Sequence, residues 1–206
     1  MVETTERPLE AAEQQELAAR LDQARTEGRR ALARFGLVSL AVCTVLAVLT
    51  LLASDAPPLV IIGFWTALAA LFTAWTGLPM RRHWVQRAST LASGLQTNRA
   101  RATRIATSRV VEFEEVEDEG ACFAFDAGNG RTIVIAGQEF HADETFPNSD
   151  FSIVEVLDTA GVVDVLVTRT GRKVEPERRV NADRKLTMDL PGHLEVVDIP
   201  IDQIGR

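Results

Sequence analysis

The sequence predicts a membrane α-helical hairpin with helical cytoplasmic extensions, followed by a small all-β domain, an SH3-like or OB-like barrel or sandwich. Three observations predict it. First, residues 35–53 (FGLVSLAVCTVLAVLTLLA) and 59–77 (LVIIGFWTALAALFTAWTG) are two runs without a single Asp, Glu, Lys or Arg. Each would rise about 28 Å as a helix, close to the roughly 30 Å of bilayer hydrocarbon. Second, arginines flank the outer ends of both runs, whereas the connector Ser54-Asp55-Ala56-Pro57-Pro58 carries none. Third, past about residue 105 the hydrophobic period shortens from helical to alternating, with Gly and Asn at the breaks.

The chain has 206 residues, 46% hydrophobic and 25% charged, an ordinary average that hides a sharp segregation. Residues 1–109 hold 13 Arg against 8 acidic residues, and residues 110–206 hold 9 Lys and Arg against 21 acidic residues. The apolar runs exclude a wholly soluble or fully disordered chain. Two isolated cysteines, Cys43 and Cys122, exclude a disulfide-stapled one. Only two of the 22 cationic residues are Lys, and Tyr is absent; with the Ala and Val richness this points to a GC-rich bacterial origin. The acidic second half argues against a nucleic-acid partner, which clustered Lys and Arg would attract.

Residues 1–34 are expected to be a cytoplasmic amphipathic helix. Leu17, Leu21, Ala24, Gly28, Ala31 and Phe35 recur at four- and three-residue spacings, a narrow seam. Residues 35–78 form the transmembrane hairpin, with spans at 35–53 and 59–77. The first apolar run starts too late for a signal peptide. Residues 79–105 are expected as a cytoplasmic helix or linker continuing the second span, since Trp84, Ala88, Leu91 and Leu95 repeat the seam spacing. Paired positions in such a hairpin should sum to about 112, which places Glu10, Glu13 and Glu16 near Arg104, Arg101 and Arg99. The positive-inside rule puts both termini in the cytoplasm of a bacterial plasma membrane. Arg34, Trp75, Arg81, Arg82 and Trp84 are the membrane-interface residues. Gly63, Ala67, Ala70 and Ala74 form a small-residue helix-packing face, either within the hairpin or in a homodimer.

Residues 106–206 form the β domain. Strands are expected at 108–116, 121–127 and 131–136, the last two joined by the Gly128-Asn129-Gly130 turn. A second hairpin joins 151–158 to 162–168, and a last pair covers 185–189 and 194–199. Loop 137–150 carries Phe140, His141, Phe146 and Pro147, which either cap the core or form a docking surface for a partner.

No catalytic constellation, cofactor motif or metal-ligand spacing is present in the sequence. His83, His141 and His193 are isolated. The acidic run Glu112, Glu114, Glu115, Glu117, Asp118 and Glu119 does not follow an EF-hand and reads as a solvated strand face and turn. Neither a nucleophile elbow nor a phosphate-binding loop occurs. The spans contain no charged or histidine side chain that could relay protons or ions.

The stretch GACFAFDAGNGRTIVIAGQEF, then TFPNSDFSIVEV, then Gly171-x-x-x-Glu175-Pro176 resembles an uncharacterised group of bacterial two-transmembrane-helix proteins with a C-terminal cytoplasmic β domain. Gly137-Gln138 and Phe146-Pro147 match the pattern of that group. The resemblance covers about a quarter of the chain and implies the hairpin-plus-β architecture but no activity. Gly130-Arg131, with Gly137 and a Val-rich strand, is more loosely similar to NfeD-like membrane proteins, which implies an OB-type domain that assists membrane-associated partners. The expected function is a membrane-anchored cytoplasmic interaction or regulatory module, not an enzyme, with the lipid bilayer and a protein partner or second copy as its contacts. The alternatives are a structural accessory subunit of a membrane complex, or a ligand- or metal-sensing β domain around His141, Asp143 and Glu144.

Overall fold

The computed structural model describes residues 1–53, 56–116, 120–188 and 190–205. The chain divides into two compact units: Met1–Pro8 with Arg99–Leu157 and Asp164–Arg206, and Leu9–Asn98 with Asp158–Val163. Ser54 and Asp55 of the expected connector lie outside the described residues, as do Glu117, Asp118 and Glu119 of the acidic run.

The helical unit contains α1 (Ala11–Ala53) and α2 (Pro58–Thr97). At 43 and 40 residues they extend to about 65 and 60 Å, roughly twice the hydrocarbon thickness of a bilayer. Both are long and apolar enough to cross a membrane. The start of α1 is held by Glu13, whose carboxylate accepts the Glu10 N–H at 2.7 Å, one half of a capping box. α2 begins with Pro58 in its first turn and ends at Asn98, a left-handed residue whose N–H donates to the Gly94 carbonyl. The two helices run antiparallel, and the expected register is met in the extensions outside the apolar runs. Gly28 lies against Trp84 and Gln14 Nε2 donates to Asn98 Oδ1 at 3.1 Å, both pairs summing to 112.

The β unit contains β1 (Val2–Arg7), β2 (Arg99–Ala106), β3 (Val110–Phe113), β4 (Ala121–Gly128), β5 (Arg131–Gly137), β6 (Asp150–Leu157), β7 (Val162–Arg169), β8 (Arg178–Val180), the short α3 (Ala182–Leu186) and β9 (Val196–Val197). The strands form two sheets, ordered β1-β2-β6-β7 and β8-β3-β4-β5-β9. They do not close into a barrel, which corrects the barrel alternative, and the two-sheet arrangement is compatible with the expected β domain. One core fills the space between the sheets: Ile105, Phe151 and Ile153 from the first meet Phe123, Phe125 and Ile133 from the second. A smaller core on the other face of the second sheet joins Val111, Cys122, Ala124 and Val134 to Ile201 and Ile204. The second sheet is thus covered on both faces, which is why β4 and β5 read as continuous apolar runs instead of alternating ones.

Residues 1–34 are not one helix. Val2–Arg7 is a strand paired antiparallel with β2, Val2 opposite Ile105 and Arg7 opposite Ala100. Val2, Thr4 and Thr5 are β-branched, and Pro8 disfavours the helical conformation in the residue before it. The second helix likewise stops at Thr97, and after Asn98 eight residues form β2. The charge pairing shifts with this change. Arg99 and Arg101 meet Glu6 at 3.3 and 3.4 Å, Arg104 meets Asp150 at 2.7 Å and Glu16 meets Arg20 on its own helix. In the final segment, the stretch expected as strand 185–189 instead overlaps α3, where Asn181 accepts the Arg184 N–H and so caps a helical turn. Of the expected strand 194–199, Val196–Val197 forms β9 beside β5, and Leu194 and Glu195 add backbone hydrogen bonds to Val134.

Candidate membrane interface

The helix pair is built on a narrow seam. Leu17, Leu21, Ala24 and Gly28 of α1 are buried, as are Leu91 and Gly94 of α2. A Cβ at Gly28 would stand 2.8 Å from the Cβ of Trp84, so the indole lies where only glycine lets it approach. Farther along, Phe35 and Phe72 rings lie 5.7 Å apart, and Trp65 Nε1 donates to Thr50 Oγ1 at 3.1 Å.

The small-residue face is not buried within the hairpin. Gly63, Ala67, Ala70 and Ala74 are exposed, and no atom lies within 4 Å of a Cβ built at Gly63. Ile61, Ala69 and Gly77 are the buried positions along this part of α2. The reason is angular. Trp65 and Trp84 lie on the α2 side that meets α1, Gly63 stands clear of it, and Ala70 and Ala74 line its open edge.

Away from the seam, the apolar runs are bare. Leu52 is 81% exposed, Leu59 85%, Leu71 65% and Phe64 61%. Of the expected interface residues, Trp75 is 78% exposed, Arg34, Arg81 and Arg82 are exposed, and Trp84 is half-buried against Gly28.

Two hollows follow one another along the helix pair. One, about 670 Å³, is lined by apolar and small residues that include Phe35, Gly36, Leu40, Ala70, Ala74 and Leu78. The other, about 500 Å³, is lined in part by Arg25, Arg29, Trp84, Val85 and Ala88. Leu32 and Arg81 line both, so the hollows adjoin in one run along the pair, and the charged lining falls from Arg25, Arg29 and Arg81 to Arg81 alone. The sequence contained the arginines and the alanines but not their convergence, which depends on the register of α1 against α2.

In the β unit, the loop aromatics are structural. Phe140 and Phe146 are fully buried and Pro147 is buried, so they cap the core and are not available as a docking surface; only His141 of the four is exposed. Phe146 stands edge-on to Phe123 and Phe151, each at 5.3 Å, and the Arg169 guanidinium lies 5.1 Å from its ring centre. Asp143 organises the loop. It accepts the Thr145 and Phe146 N–H groups and the Arg169 guanidinium at 2.6 Å, which together hold its carboxyl well below the usual aspartate range.

The described part of the acidic strand is equally occupied. Glu112 accepts from Arg179 at 2.8 Å, Glu114 from the Ala182 N–H and Glu115 from the Gly120 N–H. Arg109 ties Glu177 and Asp202 together, and the Arg178 guanidinium donates to the carbonyls of Ile201, Asp202 and Ile204. These two arginines fasten the C-terminal turn over the second sheet.

His193 stacks on Phe140 at 5.5 Å, and its Nδ1 accepts the Ala136 N–H at 3.1 Å. Burial pushes its pKa down, opposed by the carboxylates of Glu139 and Glu155. Sequence reasoning assigned this histidine no role, because its partners lie more than fifty residues away. Among the described residues, no group of three or more His, Cys, Asp or Glu is placed to hold a metal ion.

Comparison with protein-family models, with curated proteins and with solved structures returned no match to this chain.

Proposed function

We propose that the protein is a two-span anchor in a bacterial plasma membrane that holds its acidic β unit at the cytoplasmic face, where the unit engages or regulates another protein. The exposure of large apolar side chains along both helices carries this reading. Each Leu, Val or Phe left in water forgoes about 1.5–3 kcal/mol of burial, and lipid removes that penalty. Arg25, Arg29, Arg30 and Arg34 before the first run, and Arg81, Arg82 and Arg87 after the second, support placement of both termini in the cytoplasm. The excess of acidic residues in 110–206 suits a basic protein partner and disfavours adsorption to an anionic leaflet.

Fractionation tests the anchor. The chain is expected to stay with membranes through alkaline carbonate and to leave only with detergent. Protease added outside intact spheroplasts is expected to spare residues beyond 100. Recovery in the carbonate supernatant would end the membrane reading, and digestion from outside would reverse the orientation.

A second reading, a structural subunit of a membrane assembly, is favoured by one observation. The row Gly63, Ala67, Ala70 and Ala74 is exposed on α2, where another helix could approach closely. Cysteine crosslinking from Ala67 in native membranes separates this reading from a lone anchor.

A further inference from the structure

We propose that the groove along the helix pair binds one anionic phospholipid, with the phosphate held by Arg25, Arg29 and Arg81 and an acyl chain laid along Leu32, Gly36 and Ala74. The proposal rests on the membrane-spanning reading above and adds a ligand to it.

Charge complementarity selects the headgroup. Three guanidinium groups from two different helices line the polar arm. Arg25 has one ion pair, with Asp22 at 3.6 Å, and Asp22 is 80% exposed, so the pair is loose and solvated. Among the described residues, Arg29 and Arg81 have no ion-pair partner. Guanidinium forks suit phosphate oxygens, which accept paired N–H donors.

The shape of the groove selects a lipid over a free phosphate. The polar arm does not end at the arginines but continues through Leu32 and Arg81 into the apolar arm. On α2 that arm runs from Leu78 to Thr66, about 18 Å along a helix, close to the roughly 15 Å depth of one leaflet. No atom lies within 4 Å of a Cβ built at Gly36, so this wall is open along the path of the chain. Trp84 lines the polar arm three residues from Arg81, and an indole favours the boundary between headgroups and acyl chains.

The test uses the full chain in nanodiscs of phosphatidylcholine with a minority of phosphatidylglycerol, and counts the lipids retained after release by native mass spectrometry. One phosphatidylglycerol per chain is expected, retained in preference to phosphatidylcholine. The variant Arg25→Gln/Arg29→Gln/Arg81→Gln should lose about tenfold or more of that preference, since each surface cation contributes a severalfold factor toward an anionic lipid. Gly36→Leu fills the apolar arm without touching charge and should also abolish retention. Inorganic phosphate and glycerol phosphate should not compete. The proposal is overturned by equal retention of the two lipids, by displacement with inorganic phosphate, or by full retention in Gly36→Leu. It is also overturned if an Ala74→Cys chain crosslinks quantitatively to a second copy, which would then occupy the groove. A chain that fails to enter the discs at all overturns the spanning reading, and the lipid site with it. A chain that enters but shows no lipid preference overturns the site alone.

Discussion

The two units use the same side chains in opposite ways. In the helical unit Phe64 and Phe72 are 61% and 52% exposed, whereas in the β unit Phe123, Phe125 and Phe146 are fully buried. The helix pair buries only a seam of small and medium residues; the β unit buries nearly every large apolar group between two sheets or beneath its C-terminal turn. Hydrophobicity alone therefore does not say where a residue goes. The helical unit leaves large apolar side chains on its outside, and the β unit encloses its own.

The sharpest way to break this contrast is at Phe146. Phe146→Ala should destabilise the β unit by about 3–5 kcal/mol, read as a lowered denaturant midpoint, because four phenylalanines and Arg169 surround the ring. The matching change at exposed Leu71, to Ala, should leave the midpoint unmoved. Next comes Val45→Arg, at the centre of the first apolar run and 58% exposed. In water that change is harmless; in lipid it should cost about 2.5–3.5 kcal/mol of insertion, measured as the inserted fraction in a translocation assay. Gly28→Ala ranks third. Its new methyl would meet Trp84 at 2.8 Å, so the helices must separate, at about 1–3 kcal/mol. Spin labels on the two helices should report a longer distance.

The smallest expected effect is a pH dependence confined to the β unit. The folded pKa of His193 is depressed by burial, so the unfolded chain binds a proton more readily. The stability that depends on neutral His193 is present above the ordinary histidine pKa of about 6.5 and is lost as pH falls through the folded value. Acidification from neutrality should therefore lower the melting temperature of the β unit. His193→Gln should flatten that slope, while the helical signal by circular dichroism stays constant.

The positions of both apolar helices were legible in the sequence because an uncharged run of span length has few competing explanations. The register near 112 was legible too, since Gly28 and Trp84 sat on one seam and do meet. The β4–β5 turn followed from Gly128-Asn129-Gly130, all three with positive φ. What failed was local. Arg99–Ile105 read as helix or linker because the seam spacing of Trp84, Ala88, Leu91 and Leu95 was carried onward to residue 105. The overlooked signal was Asn98, a residue that readily takes the left-handed conformation that ends a helix. For the loop aromatics, the choice between capping and docking depended on whether the core had room for them.

The sequence by itself determined which segments are apolar enough for lipid, how charge is divided along the chain and where the tight turns fall, because these depend on neighbouring residues alone. Only the tertiary structure decided that the first strand joins β2, that the sheets stay open, and that arginines from two helices converge on one groove. Each of those pairings joins residues separated by some fifty to a hundred positions, and it forms only when burial and hydrogen bonding across the whole unit outweigh local preference.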